Sequence, residues 1–330
     1  MARFFFAIAA LLTLGLPAPA PAQDAADGPA RVWSAEWPRT DFDRNSVDLT
    51  EIFSGGPPKD GIPAIDDPSF APASETDLPG REPVLVLELE GETPRAYPLR
   101  YLTWHEIVND RIGDRPVIVT FCPLCNSALA FDGVVEGREL SFGVSGKLRH
   151  SDMIMYDRQT ESWWQQFHGE AVVGELLGAR LTVLPSWLED WAGFRARHPQ
   201  GLTMQEPQAW RRAYGMNPYA GYDSSPTPFL YRGEPPPHGV PALARVVRVG
   251  ERAWPLTRLA AAGEIEEAGV RLVWRTGQAS ALDAGVMADG RDVGTVRVFD
   301  AETGAPAVAE VVFAFAFHAF EPDGEWMLGK

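Results

Sequence analysis

The apolar positions change rhythm along the chain, and each change marks an element. Phe4 to Leu16 is an apolar run behind Arg3, followed by Ala20-Pro21-Ala22. A basic residue, a short apolar stretch and an A-x-A site before Gln23 are the parts of a cleavable export leader. Residues 1–22 therefore read as a signal peptide, and the mature protein as periplasmic or secreted. No later segment reaches ~18 uninterrupted apolar residues, so no transmembrane segment is expected after cleavage. From 23 to 80 the apolar rhythm is lost among Pro, Asp, Gly and Ser, and Ser54–Gly61 is turn chemistry throughout. This stretch reads as an extended arm, with Trp33, Trp37, Phe42, Ile52 and Phe53 to bury against a body.

Regular alternation starts at Pro83. Val84–Leu89 reads as a strand, Arg95–Leu99 as a second, and Leu99 to Asn109 as a helix. Val117–Phe121 is a β-branched strand that runs into Cys122-Pro123-Leu124-Cys125. Ala128–Phe131 and Glu139–Phe142 read as hairpin strands around Asp132-Gly133. Near residue 245 the plan recurs. Arg252-Ala253-Trp254-Pro255-Leu256 echoes Arg95-Ala96-Tyr97-Pro98-Leu99, Gly263-Glu264-Ile265 stands against His105-Glu106-Ile107, and Ser280-Ala281-Leu282 against Ser127-Ala128-Leu129. Val311 to Phe317 reads as the last strand, ending at His318. The expectation is an α+β fold of mostly antiparallel strands with short helices, built as two related β-rich halves packed into one body. Residues 81–235 form the half that carries the cysteines, and 236–330 a degenerate half without them.

Composition narrows the function. The 330 residues carry a formal charge of −16, and only three of the 29 basic residues are Lys. That balance excludes a phosphate-reading surface, so no nucleic-acid partner is expected. With 31 Gly and 29 Pro the chain is turn-rich, in keeping with strands rather than a helical bundle. Two cysteines in a chain this long are not a disulfide scaffold. Cys122 and Cys125 need another explanation.

Two thiols at C-x-x-C spacing can hold one soft ion, close a small ring or exchange electrons. A metal needs further donors, and His105 and His150 are the candidates. His105-Glu106-Ile107-Val108-Asn109 departs from HExxH because Asn replaces the second His, which argues against a zincin. With Met153 and Met155 nearby, the donor set suits copper ahead of zinc, although both methionines also alternate as core positions. Asp152 and Asp157 are the candidate acid–base groups beside the dithiol. His168, His198 and His238 read as solvated, and His318 as a lesser ligand candidate. Phosphate-loop, serine-elbow and C-x-x-C-H haem signatures are absent. Three functions stay open: a soft-metal site centred on Cys122 and Cys125, a thiol–disulfide redox protein or enzyme, and a non-catalytic interaction module. The corresponding partners are a small molecule, a metal ion or a periplasmic redox protein.

Four longer segments carry a family likeness: Ser54–Asp66 (SGGPPKDGIPAID), Arg95–Asp110 (RAYPLRYLTWHEIVND), Thr120–Asp132 (TFCPLCNSALAFD) and Gly143–Gln166 (GVSGKLRHSDMIMYDRQTESWWQQ). Together they resemble a bacterial family of unknown function, numbered 3179 among such domains. The resemblance implies an exported or membrane-associated bacterial protein and no established activity.

Overall fold

The computed structural model describes residues 32–329. The leader expected at 1–22 lies outside the described residues. Among the described residues the chain is mostly β, with five small sheets of three to five strands arranged as a five-bladed β-propeller. This overturns the expectation of two related halves. Five sheets in a ring are not two matching halves, since the strands up to Met204 fill three five-stranded sheets and those from Arg245 onward a four-stranded and a three-stranded one. Within the earlier set, strands distant in sequence are mixed. Ser186–Asp190 pairs with Pro83–Leu87, and Val183–Leu184 with Ser127–Asp132.

The arm explains part of this mixing. Its short strands Ile52–Ser54, Ile65–Asp66 and Phe70–Pro72 each take the edge of a different sheet. Trp37 is fully buried, with its ring 5.2 Å from Trp163 and 4.8 Å from Tyr156 in edge-to-face geometry. Lys59 lies 4.4 Å above the Trp37 ring and 2.8 Å from the Glu161 carboxylate. Aromatic burial and a half-shielded cation thus hold the arm between Trp33 and Lys59 onto the Phe142–Arg149 sheet.

The local echo seen in the sequence has a structural counterpart of smaller scope. A strand running directly into a seven-residue helix occurs four times: Arg95–Pro98 into Leu99–His105, Ser186–Asp190 into Trp191–Arg197, Arg252–Pro255 into Leu256–Ala262, and Glu310–Phe313 into Ala314–Phe320. The last of these corrects the expected Val311–Phe317 strand, since His318 sits in a helix. Ser280–Leu282 is loop, not strand. Val270–Arg275 pairs with Glu264–Glu267 on one side and with Thr295–Asp300 on the other, the latter reached only after the loop that holds Ser280.

The first of these helices is also shorter than expected. It stops at His105, and Ile107–Ile112 is already a strand paired with Arg115–Cys122. β-Branched Ile107 and Val108 favour the extended backbone. Glu106 makes the turn at φ 60° and ψ −34°, with its amide on the Leu102 carbonyl. His105 and Asn109 therefore stand on different elements, and the HExxH-like spacing never reaches a common helix face.

Candidate functional site

Two hairpin turns from neighbouring sheets meet to form the site. The first joins Arg115–Cys122 to Ser127–Asp132. Cys122 pairs with Ser127, and Asn126 turns the chain at φ 54°, a left-handed conformation that Asn tolerates well. This turn is clamped from the opposite side by Glu310–Phe313. The Phe313 amide donates to the Cys125 carbonyl at 2.9 Å, Asn126 Nδ2 to the Val311 carbonyl at 2.7 Å, and Ser127 Oγ to Glu310 at 2.8 Å. The second turn joins Phe142–Arg149 to Asp152–Asp157 through His150 and Ser151, at φ 51° and 64°. A two-residue loop with both central φ positive is the type I′ hairpin, whose twist matches the flanking strands. Its tight return delivers Asp152, the first residue of the next strand, to the cysteines.

The result is a buried cluster. The two sulfurs of Cys122 and Cys125 and a carboxylate oxygen of Asp152 all lie within 4.8 Å of one another. Both cysteines are free thiols, and none of the three side chains reaches solvent. Asp152 Oδ2 accepts from Gln165 Nε2 at 2.6 Å and from the Phe167 amide at 3.0 Å, whereas Oδ1 meets no nitrogen or oxygen donor and has only the two thiols beside it. A buried carboxylate oxygen left with nothing better than thiol donors is under-satisfied, and such groups concentrate where a ligand is held or chemistry is done. Burial pushes the Asp152 carboxyl up to about 7, against the opposing pull of the donors Gln165, the Phe167 amide and the Cys122 thiol. Burial likewise raises both thiols, Cys125 most, because its neighbour Cys122 adds to the desolvation.

The other sequence candidates lie elsewhere. His105 is buried, but Nδ1 is 2.7 Å from the Pro63 carbonyl and Nε2 is 2.7 Å from the Tyr214 hydroxyl. With one nitrogen donating to a carbonyl and the other accepting from a phenol, neither lone pair is left to face a cation. Burial depresses its basicity further. His150 occupies the turn itself. Its side chain packs against Phe320 and points at Glu51, 3.6 Å away, and it is not among the converging donors. Asp157 ends the strand that Asp152 begins, roughly 16 Å away at the usual rise. Its carboxylate closes a local turn, accepting from the Thr160 amide at 2.6 Å and from Trp164 Nε1 at 3.0 Å. These bonds hold the turn, and the structure does not bring Asp157 to the cysteines. Met155 is buried in the core, while Met153 lines a cleft.

That cleft, of about 520 Å³, opens beside the cluster and is largely apolar. Leu124 from the first turn and Met153 from the second contribute to its wall, so it reaches both turns that hold the cluster. The carboxyl that lines it is Glu106, which sequence reasoning missed. Burial, helped by the charge of Asp152, pushes this group up to about 8. Its backbone is tied to the cysteine strand, since the Phe121 amide donates to the Glu106 carbonyl at 2.8 Å. Tyr219 and Tyr222 cover the cleft from the irregular 205–240 segment, and the Tyr222 hydroxyl donates to the Leu124 carbonyl at 3.0 Å.

No curated protein and no solved structure matches the chain. A family model described as protein of unknown function (DUF3179) matches residues 59–324, most of the chain and all of the site. The chain belongs to this family.

Proposed function

We propose that Cys122, Cys125 and Asp152 bind a thiolate-preferring metal ion, with zinc the first expectation and copper(I) the second. The observation that carries this reading is the convergence of two free thiols and the Asp152 carboxylate, all buried, with no nitrogen or oxygen donor on Asp152 Oδ1. A tetrahedral ion ~2.3 Å from each sulfur sets its ligand atoms roughly 3.8 Å apart, compatible with three donor atoms that lie within 4.8 Å of one another. Two sulfurs alone favour copper(I), but a carboxylate oxygen as third donor shifts the set towards zinc. Three protein ligands would leave a fourth position for water or a substrate, as in zinc sites that do chemistry. The raised thiols mean that binding releases protons. An exported location, with cleavage after Ala22, belongs to the same reading and rests on the sequence of residues 3–22. No helix among the described residues is long and apolar enough to cross a membrane.

A second reading, an exchangeable dithiol, is favoured by the mutual contact of the two thiols and by a buried carboxyl beside them that can accept a proton. Against it stand the complete burial of both sulfurs and their raised pKa, which starve the thiolate that exchange requires. Metal analysis after anaerobic dialysis against zinc or copper(I), with thiol counting in parallel, separates the two. One tightly held equivalent is expected in the wild type, none in Cys122→Ser/Cys125→Ser, and at least tenfold weaker binding in Asp152→Ala. No metal in any form, with a reversible disulfide in the wild type, would replace the first reading by the second.

A further inference from the structure

We propose that Glu106 is the recognition group of a small-molecule site, and that the cleft it lines takes an uncharged, largely apolar molecule presenting one hydrogen-bond acceptor. The proposal goes beyond the metal reading and stands independently of it, because it rests on the shape and lining of the cleft.

Three observations converge. First, most of the wall is apolar, from Ile62, Leu124, Val144, Met153 and Phe229; Tyr219 adds a hydroxyl, and those of Tyr222 and Ser225 already donate to the Leu124 and Thr227 carbonyls. The single basic group on it, Lys147, is already 3.1 Å from Glu36. Glu106 is the single acid on that wall, and among the described residues no group hydrogen-bonds its carboxyl. A cleft of about 520 Å³ with apolar walls and few polar groups has the form of a small-molecule site.

Second, the backbone of Glu106 is strained. It holds φ 60° and ψ −34° as the residue that ends the Leu99–His105 helix. At the matching end of the Leu256–Ala262 helix, the nearly identical φ 75° and ψ −42° is held by Gly263. Glycine adopts such a conformation freely and glutamate does not. Strain of this kind persists where the side chain is needed, and here the side chain needed is one that faces the cleft.

Third, the setting favours the neutral carboxyl, which donates a hydrogen bond. Apolar walls disfavour a charged guest and a charged host group alike. A carbonyl or similar acceptor on an apolar frame therefore complements the cleft better than an anion or an amine.

The test uses three probes of one size: acetophenone (neutral acceptor), benzoate (anion) and benzylamine (cation). Binding is followed by saturation-transfer NMR on chelator-treated wild type and on Cys122→Ser/Cys125→Ser, so a failed metal reading leaves this result intact. Acetophenone is expected to bind both forms, ahead of the other two. Ala220→Trp, an exposed lining position, is expected to block it. Glu106→Gln, which keeps a donor, should hold binding within about threefold. Glu106→Gly should weaken binding at least tenfold while raising the melting temperature by about 2–4 °C, since the strain is relieved. Stronger binding of benzoate or benzylamine, unchanged binding in Glu106→Gly, or a lower melting temperature in that variant would overturn the proposal.

Discussion

Two helix ends in this protein have the same backbone and different work. The Leu99–His105 and Leu256–Ala262 helices each follow a strand ending in proline, and each stops at a residue with positive φ before a new strand begins. At the second stop stands Gly263, where an added Cβ would meet nothing within 4 Å. At the first stands Glu106, buried, facing a cleft and electrostatically coupled to Asp152. The strands that follow differ in the same sense. Arg115–Cys122 turns tightly through the cysteine pair into Ser127–Asp132, while Val270–Arg275 reaches Thr295–Asp300 only through a long loop. One junction keeps the geometry at low cost, and the other carries a carboxyl and two thiols on it. Conformational strain, buried acid and buried thiols gather at one place in the fold, which is the distribution a functional site produces.

The comparison can be broken at either end. The larger effect is expected from charge. Glu106 faces Asp152, Cys122 and Tyr219, with Lys147 on the same cleft wall, and its pKa of about 8 lies above the unfolded value of 4.5. The native state then binds more protons than the unfolded one between those limits. Stability from this group is present below about pH 4.5 and is lost as pH rises through 8. In metal-free protein, Glu106→Gln should match the wild type near pH 5 and exceed it by a few kcal/mol at pH 9. Urea unfolding at the two pH values measures the difference, and a gap independent of pH would remove the buried acid from the account. The smaller effect is expected at the quiet junction. Gly263→Ala has open space for its methyl group, so its cost is the backbone alone, on the order of 1 kcal/mol. A much larger loss would mean that this helix end is also packed for a purpose.

How far the sequence revealed this site follows from the range of the interactions involved. The cysteine strand and its turn were legible because β-branched alternation and Pro-x-Cys-Asn turn chemistry are local signals. Asp152 was legible as a residue type near the cysteines, though not its under-satisfied oxygen. Glu106 was hidden inside a helix read as running on to Asn109. Carrying the register of Arg95–Leu99 on Arg252–Leu256 forward without a gap places Glu106 on Gly263, and that glycine was the available sign of a helix end. His105 was misjudged because its partners, Pro63 and Tyr214, come from distant segments. The propeller was illegible for the same reason. Its sheets are completed by two- and three-residue edge strands, such as Ile65–Asp66 and Leu202–Met204, whose pairing is set by tertiary contact and not by propensity.

One ion held jointly by Cys122, Cys125 and Asp152 would carry a distinct set of nearest neighbours. X-ray absorption at the zinc edge, on protein loaded with one equivalent and washed, tests it directly. The account expects two sulfur neighbours at about 2.3 Å and oxygen neighbours at about 2.0 Å, with one oxygen lost in Asp152→Ala. A first shell of nitrogen and oxygen alone, or a spectrum unchanged by Cys122→Ser/Cys125→Ser, would contradict it.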